Sequence, residues 1–166
     1  MKKVVLAMCI ISLLFIGTAL AKNPPKHVDT KVFLTEKAPN DGLWTPAPGG
    51  FGYLTYSVFG PEFKFKFNAF NLVPLTDYVL AYYPDPWPGI GLVVLAVGTA
   101  NKAGNLSLKG SVATGTLPIA ADENFPGAKV WLVPAQFVGD EKLIGWPDNA
   151  AGILFETALI NYYPTP

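Results

Sequence analysis

The segment EFKFKFNAF, from Glu62 to Phe70, carries the clearest structural pattern in this sequence. Three phenylalanines alternate with two lysines and an asparagine, at positions 63 to 68. Successive side chains of a β-strand point to opposite faces, so strict alternation of this kind predicts a strand. One face of the strand places its aromatic rings in a core, and the other places its charges in water.

Similar short runs, rich in β-branched and aromatic residues, lie on both sides of this segment, which is typical of strands. Sixteen prolines and sixteen glycines separate them and leave no uninterrupted helical stripe. The loop Asn101–Gly104 ends in a glycine and predicts a hairpin between the strands that it joins. We predict strands over residues 31–36, 52–60, 62–70, 76–83, 91–100, 105–113, 128–138 and 153–163. Seven or eight antiparallel strands indicate an all-β sandwich or a barrel.

A second motif follows the strand of alternating phenylalanines. In NLVPLTDYVLAYY, Leu72, Pro74, Thr76 and Tyr78 recur at every second position. This order resembles the pattern that precedes the penultimate strand of fibronectin type III domains. The resemblance implies a single immunoglobulin-like antiparallel β-sandwich, in which Tyr78 forms a tyrosine corner by turning its hydroxyl back to the upstream backbone. It covers this motif only, since four further predicted strands follow where a fibronectin type III domain would end after one.

The N-terminus predicts export. Two lysines precede an apolar run from Val4 to Ile16, and Ala19-Leu20-Ala21 follows, as in a signal peptide with its cleavage site. The run is shorter than the roughly 20 residues that cross a bilayer, which favours a cleaved leader over an anchor. We therefore assign residues 1–21 to a signal peptide and expect no transmembrane anchor in the mature chain.

The rest of the chain divides into two parts. Residues 22–50 are expected to be an extended segment with a possible first strand and a Pro/Gly-rich linker over 37–50. Residues 51–166 are expected to be the sandwich domain. A first strand on a tether has two possible partners, its own sheet or the sheet of a second copy by strand exchange.

The charged and sulfur-containing residues exclude several functions. The chain has twelve lysines and no arginine against twelve acidic residues, so it has neither the excess of cations nor the arginines that nucleic acid binding favours, and we expect no nucleic acid partner. Its one cysteine, Cys9, lies in the predicted leader, so the mature chain offers neither a disulfide nor a thiolate. We expect no cofactor.

The sequence gives little support for a catalytic site or a metal-binding site. The single histidine, His27, lies in a predicted tail away from any serine, which argues against a serine triad. Acidic pairs at residues 122–123 and 140–141, and Asp148, are loop oxygens of the type that binds Ca²⁺, but none has the spacing of a known calcium loop. Glycoside hydrolysis requires only two facing carboxylates, and the twelve acidic residues do not exclude it.

The tryptophans are the candidate binding residues. Trp87 and Trp146 each directly precede a proline and Trp44 lies two residues before Pro46, all in predicted loops, and such stiff rings either stack on sugars, anchor protein partners or cap the sandwich. Trp131 lies within a predicted strand and is expected in the core. Asn105 begins an Asn-Leu-Ser glycosylation acceptor pattern.

These observations lead to one expectation and two alternatives. We expect a non-catalytic structural protein, secreted or on the cell surface, that acts by contact with surface or extracellular-matrix proteins. It resembles in general terms the β-sandwich modules of prokaryotic surface and secreted proteins. The first alternative is a carbohydrate-binding module that uses the loop tryptophans, and the second is a small secreted glycoside hydrolase.

Overall fold

The computed structural model describes residues 29–40, 43–119, 126–146 and 151–166, in which nearly all regular structure is β. One 3₁₀ turn, Ala135–Phe137, is the exception within these residues. The strands are β1 Asp29–Asn40, β2 Leu43–Ser57, β3 Phe59–Gly60, β4 Phe63–Phe70, β5 Asp77–Tyr83, β6 Val93–Thr99, β7 Leu106–Val112, β8 Lys129–Pro134, β9 Val138–Gly139, β10 Lys142–Leu143, β11 Phe155–Glu156 and β12 Tyr163–Pro164.

Two sheets form the body of the protein. The larger has five antiparallel strands in the order β11-β1-β2-β4-β7, and the smaller has three antiparallel strands in the order β6-β5-β8. The chain passes from one to the other between β4 and β5, between β6 and β7, between β7 and β8, and between β8 and β11. The predicted all-β class is thereby confirmed, and the two sheets form a sandwich.

The main core lies between the sheets, as the alternation in β4 predicted. Phe63 and Phe67 are fully buried there, while Lys64 and Lys66 are exposed on the outer face. The smaller sheet contributes the other half of this core, with Tyr78, Leu80 and Tyr82. Apolar burial of this kind is the main term that stabilises such a fold.

A second core covers the outer face of the smaller sheet. Strand β5 is buried on both faces, because Val79, Ala81 and Tyr83 point away from the main core into this second cluster. The segments that cover it come from the loop after β5 and from the chain between β8 and β11. This layer carries the candidate site described below.

The prediction of a Pro/Gly-rich linker over residues 37–50 is wrong. Residues 37–40 and 43–50 belong to two paired strands, and β1 and β2 form one long hairpin with a β-bulge between Thr35 and Lys37. Beyond the bulge β2 pairs with β1 alone, because β4 reaches only residues 51–56. Proline is tolerated on such an edge, where one side of the strand has no ladder to break. Strand β1 pairs with β2 and β11 of its own chain.

The prediction that the strands on either side of Asn101–Gly104 pair as a hairpin is also wrong. The tight turn exists and is closed by a hydrogen bond from the Asn101 N–H to the Asn105 carbonyl, at 2.9 Å. The flanking strands then separate, since β6 pairs with β5 and β7 pairs with β4. They meet through side chains instead, because Gly98 leaves room for the leucine side chains of β7.

The last predicted strand, over residues 153–163, does not form as one unit. Only Phe155–Glu156 at its start and Tyr163 at its end lie in ladders, joined by isolated bridges to β8 and to Leu117. This segment runs across the open edge from one sheet to the other. A straight strand cannot satisfy partners in both sheets, so the ladder is broken into short pieces. None of the described residues forms a helix long and apolar enough to cross a membrane.

Candidate functional site

The Leu-x-Pro-x-Thr-x-Tyr motif lies where the chain crosses from β4 to β5. The Tyr78 hydroxyl accepts a hydrogen bond from the Val73 backbone N–H at 3.2 Å, and the Tyr78 side chain is fully buried. Leu72 is buried in the main core, Pro74 is exposed, and the Thr76 hydroxyl donates to the Pro74 carbonyl at 3.4 Å. Burial raises the pKa of Tyr78, so the phenol stays neutral at physiological pH. The motif therefore serves the crossover between the sheets.

All four tryptophans meet on the outer side of the smaller sheet. Trp146 lies at the centre and makes edge-to-face contacts with Trp44, Trp87 and Trp131, at ring-centroid distances of 5.9, 5.5 and 6.0 Å. This is a favourable aromatic geometry. The structure thus brings the three predicted candidates together and adds Trp131 to them.

The rings enclose an open pocket of about 360 Å³, called here the tryptophan pocket, which is lined by Trp44, Tyr83, Asp85, Trp87, Trp131 and Trp146. Trp131 is 8% exposed and stacks on Tyr83 with a centroid distance of 3.8 Å and an interplanar angle of 11°. Trp44 and Trp87 are 48% and 52% exposed. The pocket therefore has a buried floor and two walls whose rings reach solvent.

The long hairpin positions Trp44. Trp44 stands at the far end of β2, opposite Pro39, and its ring also contacts Phe155 at 5.8 Å. The bulge in β1 is held by Glu36, whose carboxylate accepts a hydrogen bond from the Gly50 N–H at 2.9 Å. An added Cβ at Gly49 would collide with the same carboxylate, so glycine permits this close approach.

The loop after β5 positions Trp87. Its backbone is hydrogen-bonded to the short hairpin that β9 and β10 form. The Leu143 N–H donates to the Pro88 carbonyl and the Gly91 N–H donates to the Glu141 carbonyl, both at 2.9 Å. Gly89 has a φ of +75° and packs directly under the Tyr83 ring, where no side chain would fit. Trp87 is thus exposed but carried by a backbone with fixed partners.

One ion pair borders the pocket. The Asp85 carboxylate pairs with the Lys129 ammonium, and both side chains are largely buried, at 17% and 16% exposure. Asp85 lines the pocket itself. The pocket therefore combines aromatic walls with a carboxylate whose charge is compensated by the neighbouring ammonium.

A second carboxyl group lies behind the pocket. Glu156 is 8% exposed, and burial raises its pKa to about 7, although its own backbone, Lys37, Lys129 and Trp131 act to lower that pKa. Its Oε2 and the Trp131 Nε1 are buried without a hydrogen-bond partner, so the indole is near the carboxyl but not in bonding geometry. Lys37 donates to the Glu156 backbone carbonyl at 3.0 Å. Glu156 does not line the pocket.

The remaining candidates are dispersed. Asn105 is exposed directly before β7, and Asp140 and Glu141 form an exposed turn. No three histidine, cysteine, aspartate or glutamate side chains cluster in the described part of the chain. His27 and the acidic residues 122–123 and 148 lie outside the described residues, as do residues 1–21 with their predicted leader.

Sequence reasoning did not single out Tyr83, Asp85 and Lys129, and it placed Trp131 in the core only. Asp85 stands two positions before Trp87 in YYPDPWPG, which is the one local signal for its role. Tyr83 and Lys129 come close to the pocket only through the pairing of β5 with β8, in which they are directly opposite each other.

The evidence for what the site binds comes from its geometry. No protein-family model, curated protein or solved structure matches this chain. The tryptophan pocket is concave and mainly apolar, with one compensated charge pair at its border. These are the properties of sites that bind small or chain-like neutral ligands.

Proposed function

We propose that this protein is an exported, non-catalytic binding module that holds a carbohydrate in the tryptophan pocket. The observation that carries this proposal is the convergence of all four tryptophans on one pocket, in which Trp44 and Trp87 remain about half exposed. Rings that only capped the core would bury their faces, as Trp131 does. Two half-exposed walls above a buried floor favour a ligand platform over a cap.

The chemistry of the pocket fits a sugar. The C–H face of a pyranose is apolar and packs on the electron-rich face of an indole, while its hydroxyls need hydrogen-bond partners. Asp85 accepts and Lys129 donates hydrogen bonds at the pocket border, and their mutual pairing leaves little net charge. This combination favours a neutral saccharide over an ion.

The carboxylates support binding over hydrolysis. Glycoside hydrolases place two carboxyl groups on either side of the scissile bond. Among the described residues that line the pocket, Asp85 is the only carboxylate, and it is held by Lys129. Glu156, the other nearby carboxyl, lies behind the buried floor.

The immunoglobulin-like character of the fold and the export of the protein are part of the same proposal. The immunoglobulin-like character is supported by the Tyr78–Val73 hydrogen bond at the crossing between the sheets. Export to the cell surface or the medium is supported by the apolar run and the Ala19-Leu20-Ala21 site.

A glycan array with the chain from Lys22 to Pro166, followed by calorimetry on the best glycan, tests the function. We expect Trp87→Ala and Trp44→Ala each to weaken binding by about tenfold or more, since each removes one wall. Tyr163→Ala is the matched control, because Tyr163 is 48% exposed and contacts Phe59 away from the pocket. Failure of the unaltered protein to bind any glycan would contradict the proposal and favour a protein partner anchored by the same tryptophans.

A further inference from the structure

The outer face of the five-stranded sheet is exposed and carries a row of lysines. In the ladder register Lys31 lies beside Thr55, Thr55 beside Lys66, and Lys66 beside Lys109. Lys64 extends the group along β4, and all four lysines are exposed. We call this surface the lysine face. It lies on the opposite side of the sandwich from the tryptophan pocket.

The lysine face carries an unfavourable charge arrangement. Lys66 and Lys109 are direct cross-strand neighbours in an antiparallel pair, where like charges destabilise the sheet. No described carboxylate lies within ion-pair distance of Lys64, Lys66 or Lys109. Glu62 lies at the rim of this face, and its carboxylate accepts a hydrogen bond from the Ser111 hydroxyl at 2.5 Å. Since no described carboxylate compensates these cations, an anionic ligand would be stabilised by them.

Aromatic rings border the lysines on the same face. Phe33 and Phe51 are 52% and 44% exposed, and the rings of Phe51 and Tyr53 both pack against Phe70, at 5.3 and 6.3 Å. The Lys31 ammonium lies 4.3 Å from the centre of the Tyr53 ring. The cations therefore border an exposed aromatic surface as well as water.

A shallow groove of about 580 Å³ crosses the lysine face over β2, β4 and β7. Its lining includes Lys64, Lys66 and Lys109, together with Thr55 and Ser111. The groove thus offers ammonium groups and hydroxyls side by side, and Tyr53 and Phe51 lie on the same face of β2 as Thr55.

We infer that the lysine face is a second binding site and that it binds an acidic polysaccharide. The ammonium groups complement carboxylates repeated along an extended chain. The hydroxyls of Thr55 and Ser111 complement sugar hydroxyls, and the adjacent rings complement pyranose C–H faces. A lipid headgroup or an acidic peptide would use the charges but not this combination. The inference does not rest on the tryptophan pocket.

Binding of polygalacturonate, measured by calorimetry at low salt, tests the inference. The double variant K66Q/K109Q is expected to bind at least about tenfold more weakly, because two charge-assisted contacts are lost. K142Q is the matched control, since Lys142 is an exposed lysine of β10 on the other side of the sandwich. Trp87→Ala is expected to leave this binding unchanged, which separates the site from the tryptophan pocket. Raising NaCl from about 50 mM to about 500 mM should weaken it strongly.

Thermal unfolding provides a second readout. Neutralising the opposed pair removes a like-charge repulsion, so K66Q/K109Q is expected to melt at a higher temperature than the unaltered protein while binding more weakly. This combination distinguishes a binding site from a damaged fold. Equal polygalacturonate affinity of the unaltered protein and the double variant would overturn the inference. So would binding only to phosphatidylglycerol vesicles or to poly-glutamate, with none to polygalacturonate.

Discussion

The hydroxyl of Tyr78 accepts a hydrogen bond from the backbone N–H of Val73, at 3.2 Å, where the chain passes from the larger sheet to the smaller one. The sequence motif predicted that this hydroxyl turns back to the upstream backbone. It acts there as an acceptor from an N–H and not as a donor to a carbonyl. Its removal therefore leaves a backbone donor without its partner.

We expect Tyr78→Phe to lower the free energy of unfolding by about 1–2 kcal/mol, because a partly buried N–H loses its acceptor. Urea unfolding of the two proteins measures the difference. Tyr163→Phe serves as the control, since this tyrosine is 48% exposed. An unchanged midpoint for Tyr78→Phe would show that the crossover is held by packing alone.

Replacement of Trp146 should affect stability more than replacement of Trp87. Trp146 is partly buried and contacts the other three tryptophans, so Trp146→Ala is expected to cost roughly 2–3 kcal/mol. Trp87 is 52% exposed, and Trp87→Ala is expected to cost about 1 kcal/mol or less. Thermal or denaturant unfolding gives both values. A larger loss for Trp87→Ala would mean that its ring is a structural cap.

Glu156 makes the stability depend on pH. Burial raises its pKa from 4.5 to about 7, so between these values the folded protein keeps a proton that the unfolded chain releases. The stabilising contribution of the Glu156 proton is therefore fully present below about pH 4.5 and declines by about 3 kcal/mol as the pH rises to about 7.

Glu156→Gln is the variant that tests this, because it retains the shape of the side chain and removes the titration. We expect the variant to lose the decline between pH 4.5 and 7, and to be more stable than the unaltered protein at pH 8. Urea unfolding at several pH values is the measurement. The same decline in both proteins would assign the pH dependence to another group.

Strand β1 is an inner strand of the larger sheet, between β11 and β2, and it buries Val32 and Leu34 in the main core. Deletion of residues 22–36 is therefore expected to unfold the protein, and deletion of residues 22–28 to preserve it. Circular dichroism and light scattering of the two truncations distinguish these outcomes. A folded protein without residues 22–36 would instead support strand exchange between copies.

The exported protein is expected to begin at Lys22, after the Ala19-Leu20-Ala21 site. Intact-mass measurement of the protein recovered from the medium or the envelope tests this expectation. A retained leader would contradict the proposed localisation.

The sequence alone determined what depends on near neighbours. Alternation in EFKFKFNAF identified β4 and its buried face, and the spacing from Leu72 to Tyr78 located the crossover. These patterns are readable because strand period and turn geometry act over a few residues. The prediction of a linker over residues 37–50 was wrong because the structure of this segment depends on residues far away in the sequence. Its prolines are compatible with a strand only because β2 has a single neighbour there, and the number of neighbours is set by distant residues.

Only the tertiary structure decided how the candidate residues assemble into sites. The tryptophans at positions 44, 87, 131 and 146 come from a hairpin end, two loops and a strand, and only the packing of the second core brings them to one pocket. The lysine face likewise depends on ladder register, because a shift of one residue between β4 and β7 would remove Lys109 from the same face as Lys66. Contacts between residues far apart in sequence depend on how sheets stack and pair, and no local pattern specifies this.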